Sequence, residues 1–200
     1  MQKIIIATGN AGKVKEFKAE LKDCEVLSLK DINYNDDIEE NGTTFVENAI
    51  IKAKAVSLFL REQGIKVPVI AEDSGLCVDA LNGAPGIYSA RYAGDHAGVK
   101  NMEKLITELG DEINRNAHYT SAIVEYYPDD TYIVAEGYVY GYITKQPQGE
   151  QSQTLPYDTV FYSEELGKVF AKATLEEKNS VSHRIKAIKK LLELKQENKL

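Results

Sequence analysis

Four stretches of this 200-residue chain combine residue types that can handle phosphate and metal. "TGNAGK" runs from Thr8 to Lys13 and carries two glycines, Gly9 and Gly12. A loop leaving a strand and entering a helix presents backbone N–H groups and the positive end of the helix dipole. Thr8 and Asn10 add side-chain donors and Lys13 a full charge, the ingredients of a phosphate cradle. The spacing is not the Gly-x-x-x-x-Gly-Lys-Ser/Thr of the Walker loop. On these residues alone, an ordinary loop with a solvated lysine is the leading reading.

The second stretch is "TTFVENAIIKAKA", residues 43 to 55. Glu47, three residues after Thr44, fits either a capping box or a metal ligand near a helix start. Lys52 and Lys54 read by default as a solvated face. Glu47 and Lys52 point about 140° apart on an ideal helix, so helical geometry alone does not give them a shared ligand.

The third is "VIAEDSGLCVDA", residues 69 to 80, where two carboxylates follow an apolar run. Glu72 and Asp73 are expected at the C-terminal end of a strand, where α/β folds place their ligands. Adjacent strand residues point to opposite faces, so one carboxylate of the two should face the ligand. Hard oxygens of this kind suit Mg²⁺, which takes one or two carboxylates plus substrate phosphates. A capped polar turn remains the plain alternative.

In "EEKNSVSHR", residues 176 to 184, Lys178, His183 and Arg184 cluster near an expected helix start marked by Ser180 or Ser182. Positive charge there opposes the helix dipole, so its placement asks for an anion or a carbonyl-rich ligand. His96 and His118 gain no role from their surroundings. The tyrosines between 119 and 142 are better explained by cross-strand packing than by stacking on bases.

The elements that must position these residues follow from periodicity. Ile4–Ala7 reads as a buried strand, and Val14, Phe17 and Leu21 recur at helical spacing behind the first loop. Residues 24–29 suggest a second strand, and 31–42 an acidic loop. A helix is expected from about Thr44 to Gln63, with Gly64 as its stop. "KVPVIA" is the third strand, a helix should cover about 96 to 109, and residues 117–127 and 131–144 should form an antiparallel hairpin. A last helix is expected from about Ser182 to Leu194. The sum is an α/β fold, a mixed twisted sheet flanked by helices, and one domain spanning residues 1–200.

Net charge is −7, which excludes a nucleic-acid groove and an anionic membrane surface as the expected partner. A small anionic ligand needs only local positive charge. Apolar runs fall short of the roughly 18 residues of a membrane span, and two distant cysteines suggest reduced thiols. Both point to the cytoplasm.

Together "TGNAGK", "TFVENAIIKA", "EDSGLCVDALNGAPGIYSARYAG" and "EEKNSVSHR" resemble, in order and over nearly the whole chain, the signatures of the inosine triphosphate pyrophosphatase family. The resemblance implies two lobes around a central cleft and a homodimer. It implies Mg²⁺-dependent hydrolysis of ITP, dITP and XTP to the monophosphate and pyrophosphate, cleansing the nucleotide pool. Carried over by position, Thr8, Gly9, Asn10, Lys13 and Lys52 hold the triphosphate. Glu47 and Asp73 hold the metal, and Asp73 accepts the proton. Lys13 and Glu72 assist catalysis, and Ser74 contacts substrate. Lys178 touches the nucleotide, and His183 and Arg184 read the purine. Donors facing the 6-oxo group would disfavour adenine, since an unsatisfied buried donor costs about 1–3 kcal/mol.

One stretch departs from the family pattern. Phe-Gly-Tyr/Trp-Asp-Pro is replaced by "LPYDT", residues 155 to 159, after a lead-in "GEQSQT". Tyr157 and Asp158 remain as substrate-binding candidates, and Leu155 stands where a base-stacking phenylalanine is expected. Hydrolysis with altered base selectivity is the expectation. Two rivals are a nucleotide-binding protein without turnover and a Mg²⁺ phosphohydrolase releasing orthophosphate.

Overall fold

The structure is a computed structural model and describes residues 1–94, 97–152 and 155–197. Its seven strands are β1 (Gln2–Ile6), β2 (Cys24–Ser28), β3 (Val69–Val78), β4 (Asn116–Tyr126), β5 (Tyr132–Ile143), β6 (Phe161–Ser163) and β7 (Lys168–Val169). They form one sheet in the order β2-β1-β3-β4-β5-β6-β7. β1 pairs in parallel with β2 and β3, and β5 and β6 pair antiparallel, so the sheet is mixed as expected. β4 and β5 are sheet neighbours joined through the turn Pro128-Asp129-Asp130, and a connection that short allows only an antiparallel pair.

Five α-helices flank the sheet among the described residues: α1 (Ala11–Glu20), α2 (Phe45–Glu62), α3 (Val99–Leu109), α4 (Leu175–Val181) and α5 (His183–Glu197). Asn10 caps α1, its side chain accepting from the N–H groups of Gly12 and Lys13. Thr44 caps α2 in the same way, and Gly110 ends α3 at positive φ.

Two expectations need correction. The third strand does not stop before Glu72 but runs on through Glu72, Asp73, Ser74 and Gly75 to Val78. Polar and glycine residues are poor strand formers by propensity, but β3 lies beside β4 in the sheet beyond the point where β1 ends, and context overrides propensity. Gly75 is therefore a buried strand residue, not a turn. The positive cluster at residues 176–184 spans two helices. α4 has its own capping box, Thr174 with Glu177, so Lys178 sits in its last turn, where the dipole favours positive charge. His183 and Arg184 open α5.

The chain divides into two compact units. The first holds Met1–Asp73, Ser121–Gly137 and Arg184–Leu200; the second holds Ser74–Thr120 and Tyr138–His183. In the first unit the sheet is packed on both faces. Ile4, Ile6 and Ile70 pack with Phe17 of α1 and Ile188 and Leu191 of α5. Ile5, Ala7, Val69 and Ala71 pack with Ala49, Ala53 and Val56 of α2. Even-numbered residues of β1 and β3 thus face α1 and α5, and odd-numbered residues face α2, the period of two that a pleat imposes. In the second unit Leu76, Val78, Val139, Ile143 and Phe161 pack with Leu105 of α3.

Candidate functional site

Continuing the pleat of β3 by two residues places the adjacent carboxylates. Glu72 follows the even residues onto the α1/α5 face, and Asp73 follows the odd ones onto the α2 face. Their partners agree. Glu72 is buried, and its Oε1 accepts from Nε of Arg184 and from the hydroxyl of Ser121, both at 2.9 Å. Its Oε2 lies 2.9 Å from Nζ of Lys13, an ion pair that meets its charge without directing a hydrogen bond along its lone pair. Arg184 also donates from Nη1 to Glu16 on α1 at 2.8 Å.

Burial alone would push the Glu72 carboxyl up, but Lys13 and Arg184 outweigh it and hold the group well below the usual carboxylate range. Burial likewise opposes the charge of Arg184, while Glu72 and Glu16 raise its pKa. The carboxylates supply the reason for Arg184 at the start of α5 that the sequence left open. Its Nε and Nη1 are committed here, not presented to a purine.

On the other face, Asp73 accepts at Oδ2 from the side-chain amide of Asn48 at 2.9 Å, and Oδ1 lies 3.9 Å from Nζ of Lys52. Lys52 donates to Glu40, in the acidic loop, at 2.8 Å. Lys52 is largely buried among carboxylates and is not the solvated residue its default reading suggests, whereas Lys54 is exposed. Glu47 turns back to the residue before the helix cap, accepting at Oε2 from the backbone N–H and the hydroxyl of Thr43. Those hydrogen bonds lower its pKa. Glu47 and Lys52, five positions apart, take different protein partners. The i, i+4 pair Asn48 and Lys52 shares the face that meets Asp73. Asn48 was not singled out by its sequence context; its i, i+4 relation to Lys52, on the stripe of Ala49, Ala53 and Val56, is the signal that finds it.

The "TGNAGK" loop is exposed from Gly9 to Gly12, and nothing lies within 4 Å of the position a side chain would take at Gly9. Asn10 spends its carbonyl on Gly12 and Lys13, and Thr8 accepts from the N–H of Asn10 at 3.2 Å. The helix start is self-capped, and Lys13 is held by Glu72.

The remaining candidates lie in the second unit. Ser74 is half-buried on β3. Lys178 pairs with the buried Asp158 and stands 5.3 Å from the ring centre of Phe170. Burial raises the pKa of Asp158, with Lys178 opposing. Tyr157 is a core residue whose hydroxyl donates to the carbonyl of Ser89 at 2.9 Å. The Ser89 hydroxyl accepts from the N–H of Leu76 and donates to Gly86, so the "GIYSAR" turn ties β3 to Tyr157. Leu155 is 51% exposed ahead of the 3₁₀ turn Pro156–Thr159. Its neighbours Gln153 and Thr154 in the lead-in, and His96, lie outside the described residues. His183 stacks on Tyr119 at 5.1 Å and 15°. Cys24 and Cys77 are free thiols.

Asp73 and Glu47 offer hard carboxylate oxygens. Among the described residues no three His, Cys, Asp or Glu side chains gather as a closed cage. Mg²⁺ takes one or two carboxylates and completes its shell with water and substrate phosphate, so the donor set fits that ion.

The profile of the Ham1 family matches residues 4–194. The dITP/XTP pyrophosphatase of Bacillus subtilis (strain 168) is 43% identical over 199 residues, 97% of each chain. The solved structure of the Staphylococcus aureus Ham1 protein superposes with a TM-score of 0.87 at 40% identity over the whole of both chains. That of the nucleoside-triphosphatase / dITP/XTP pyrophosphatase from Mycobacterium abscessus superposes with a TM-score of 0.78 at 34% identity, covering 96% of this chain and 99% of that one.

Proposed function

The chain belongs to the Ham1 family, and from that premise we propose that it hydrolyses dITP, XTP and ITP to the monophosphate and pyrophosphate. The observation that carries the reading is the division of labour on β3. Glu72 is locked as a counter-ion of Lys13 and Arg184, while Asp73 faces Asn48 and Lys52. Water attacks the α-phosphorus, and the bond from that phosphorus to the α,β-bridging oxygen breaks. Asp73 orients the water and takes its proton. The Thr8–Lys13 loop receives the phosphates, with Lys13 aimed by Glu72. A strongly ionised Glu72, held by two hydrogen bonds and the Lys13 ion pair, is a poor base, so its role is electrostatic positioning.

Asp73 and Glu47 would hold Mg²⁺, which when bound offsets the phosphate charge and polarises the leaving group. With two donors of Arg184 committed to carboxylates, reading of the 6-oxo group falls chiefly to His183. The working form in this reading is a cytoplasmic homodimer, as the family resemblance implies; among the described residues no helix is long and apolar enough to cross a membrane.

The test is a panel of dITP, XTP, ITP, GTP and ATP with Mg²⁺ and separate detection of pyrophosphate and orthophosphate, repeated with Asp73→Asn. Pyrophosphate release from the 6-oxo non-canonical purines, lost in Asp73→Asn, is expected. Orthophosphate as the product, or tight binding without turnover, overturns the reading in favour of a phosphohydrolase or a nucleotide sensor.

A further inference from the structure

Asn48 is 1% exposed in the first turn of α2. A buried primary amide has to satisfy an oxygen acceptor and an NH₂ donor separately. At one end stands the backbone N–H of Gly42, 2.9 Å away. A backbone N–H can only donate, so the end of the amide facing it is Oδ1. Nδ2 must then face Asp73, where it donates to Oδ2 at 2.9 Å. The chemistry of the two partners fixes the orientation of the amide. The approach of Gly42 is tight: a Cβ there would stand 2.7 Å from Oδ1 of Asn48 and 2.8 Å from Cβ of Glu47. Only glycine lets the chain ahead of α2 come close enough to hold the amide from behind.

We propose that Asn48 is a positioning residue for Asp73. It holds the carboxylate by Oδ2 and so sets the direction in which Oδ1 points, the side on which Lys52 stands. The contact runs from the end of the acidic loop through Gly42 and Asn48 to Asp73. The inference rests on the proposed function insofar as it takes Asp73 to be the working carboxylate. A buried asparagine that merely fills space would leave turnover untouched once the protein is folded.

The experiment uses the full chain in two arms. In the first, the side-chain amide signals of Asn48 and the backbone amide of Gly42 are recorded by NMR without metal, in wild type and in Asp73→Ala. The Asn48 NH₂ signals are expected to stand apart from those of surface asparagines and to move back toward them in Asp73→Ala. In the second arm, dITP turnover at saturating Mg²⁺ is measured for Asn48→Ala and Asn48→Ser. Loss of a group that orients an active carboxylate costs about 10–100-fold in activity. The loss is expected in kcat with KM nearly unchanged, because substrate contacts remain.

Asn48 signals that do not respond to Asp73→Ala, or a folded variant with wild-type kcat, overturn the proposal. Should Asn48→Ala fail to fold, Asn48→Ser and the first arm still decide it. A wild type that releases no pyrophosphate defeats the proposed function alone, and the amide response then decides whether Asn48 holds Asp73.

Discussion

Glu72→Gln removes one charge from the first unit at nearly constant volume, and its cost can be worked from the geometry. The Glu72 side chain is 2% exposed, against 13% for Arg184 and 25% for Lys13. Removing one partner of a buried pair costs about 3–5 kcal/mol. Two features reduce that here. Arg184 keeps Glu16 at 2.8 Å, and Lys13 is exposed enough to reach water. We expect about 2–3 kcal/mol at pH 7, a fall in Tm of about 4–12 °C for a chain of this size.

The pH dependence carries its own sign. The folded carboxyl titrates below its ordinary value of 4.5. Its contribution is therefore complete well above that value and is lost as pH falls toward the folded pKa. Each pH unit below the unfolded value removes about 1.4 kcal/mol of the difference between wild type and variant. Differential scanning calorimetry of both proteins from about pH 7 to pH 3.5 reads it. A variant as stable as wild type at neutral pH refutes the reasoning. So does a gap that stays constant as pH is lowered.

Two further outcomes concern the second unit. Leu155→Phe restores an aromatic ring at a half-exposed position; at about 1–3 kcal/mol per stacked base it should lower KM for dITP and XTP at least about fivefold, and an unchanged KM shows that residue 155 does not meet the base. Thr174→Ala removes the cap of α4, which should cost about 1 kcal/mol, and since α4 carries Lys178, a nucleotide KM that rises with kcat unchanged is expected in steady-state kinetics; a fall in kcat alone contradicts a binding role for that helix.

The chemistry-bearing motifs were legible because they are local. A loop between strand and helix, a cap three residues before a glutamate and a lysine behind two glycines can each be read without knowing what lies across the fold. What was hidden depends on partners far along the chain. Glu72 meets Arg184 across 112 positions and Asp73 meets Asn48 across 25. Nothing near "EDSG" says that Arg184 will be spent on a carboxylate, so its positive charge at a helix start looked like a ligand contact. The strand through Glu72–Gly75 was hidden for the opposite reason: its residues are weak strand formers, and the sheet neighbour β4 comes from more than forty positions further along the chain. The pleat rule still placed the two carboxylates on opposite faces, because it depends only on local backbone geometry.

The charges around β3 bear on why a divalent cation belongs in the proposed reaction. Lys13, Lys52 and Arg184 bring three positive charges to the paired side chains of the first unit, and Glu16, Glu40, Glu72 and Asp73 bring four negative ones. At rest the lysines and the arginine are already matched by carboxylates. A triphosphate adds roughly four more negative charges, which phosphoryl transfer must offset before water can approach the phosphorus. These seven side chains alone have no surplus with which to do so. Pulling Lys13 wholly away from Glu72 would leave the buried carboxylate with Arg184 alone, a partner it shares with Glu16, and weakening a buried pair in this way is costly. Lys13 is therefore better suited to bridging Glu72 and a phosphate than to leaving one for the other. In the proposed reaction the positive charge still missing would come with the substrate, as Mg²⁺ shared between its phosphates and one or two carboxylates.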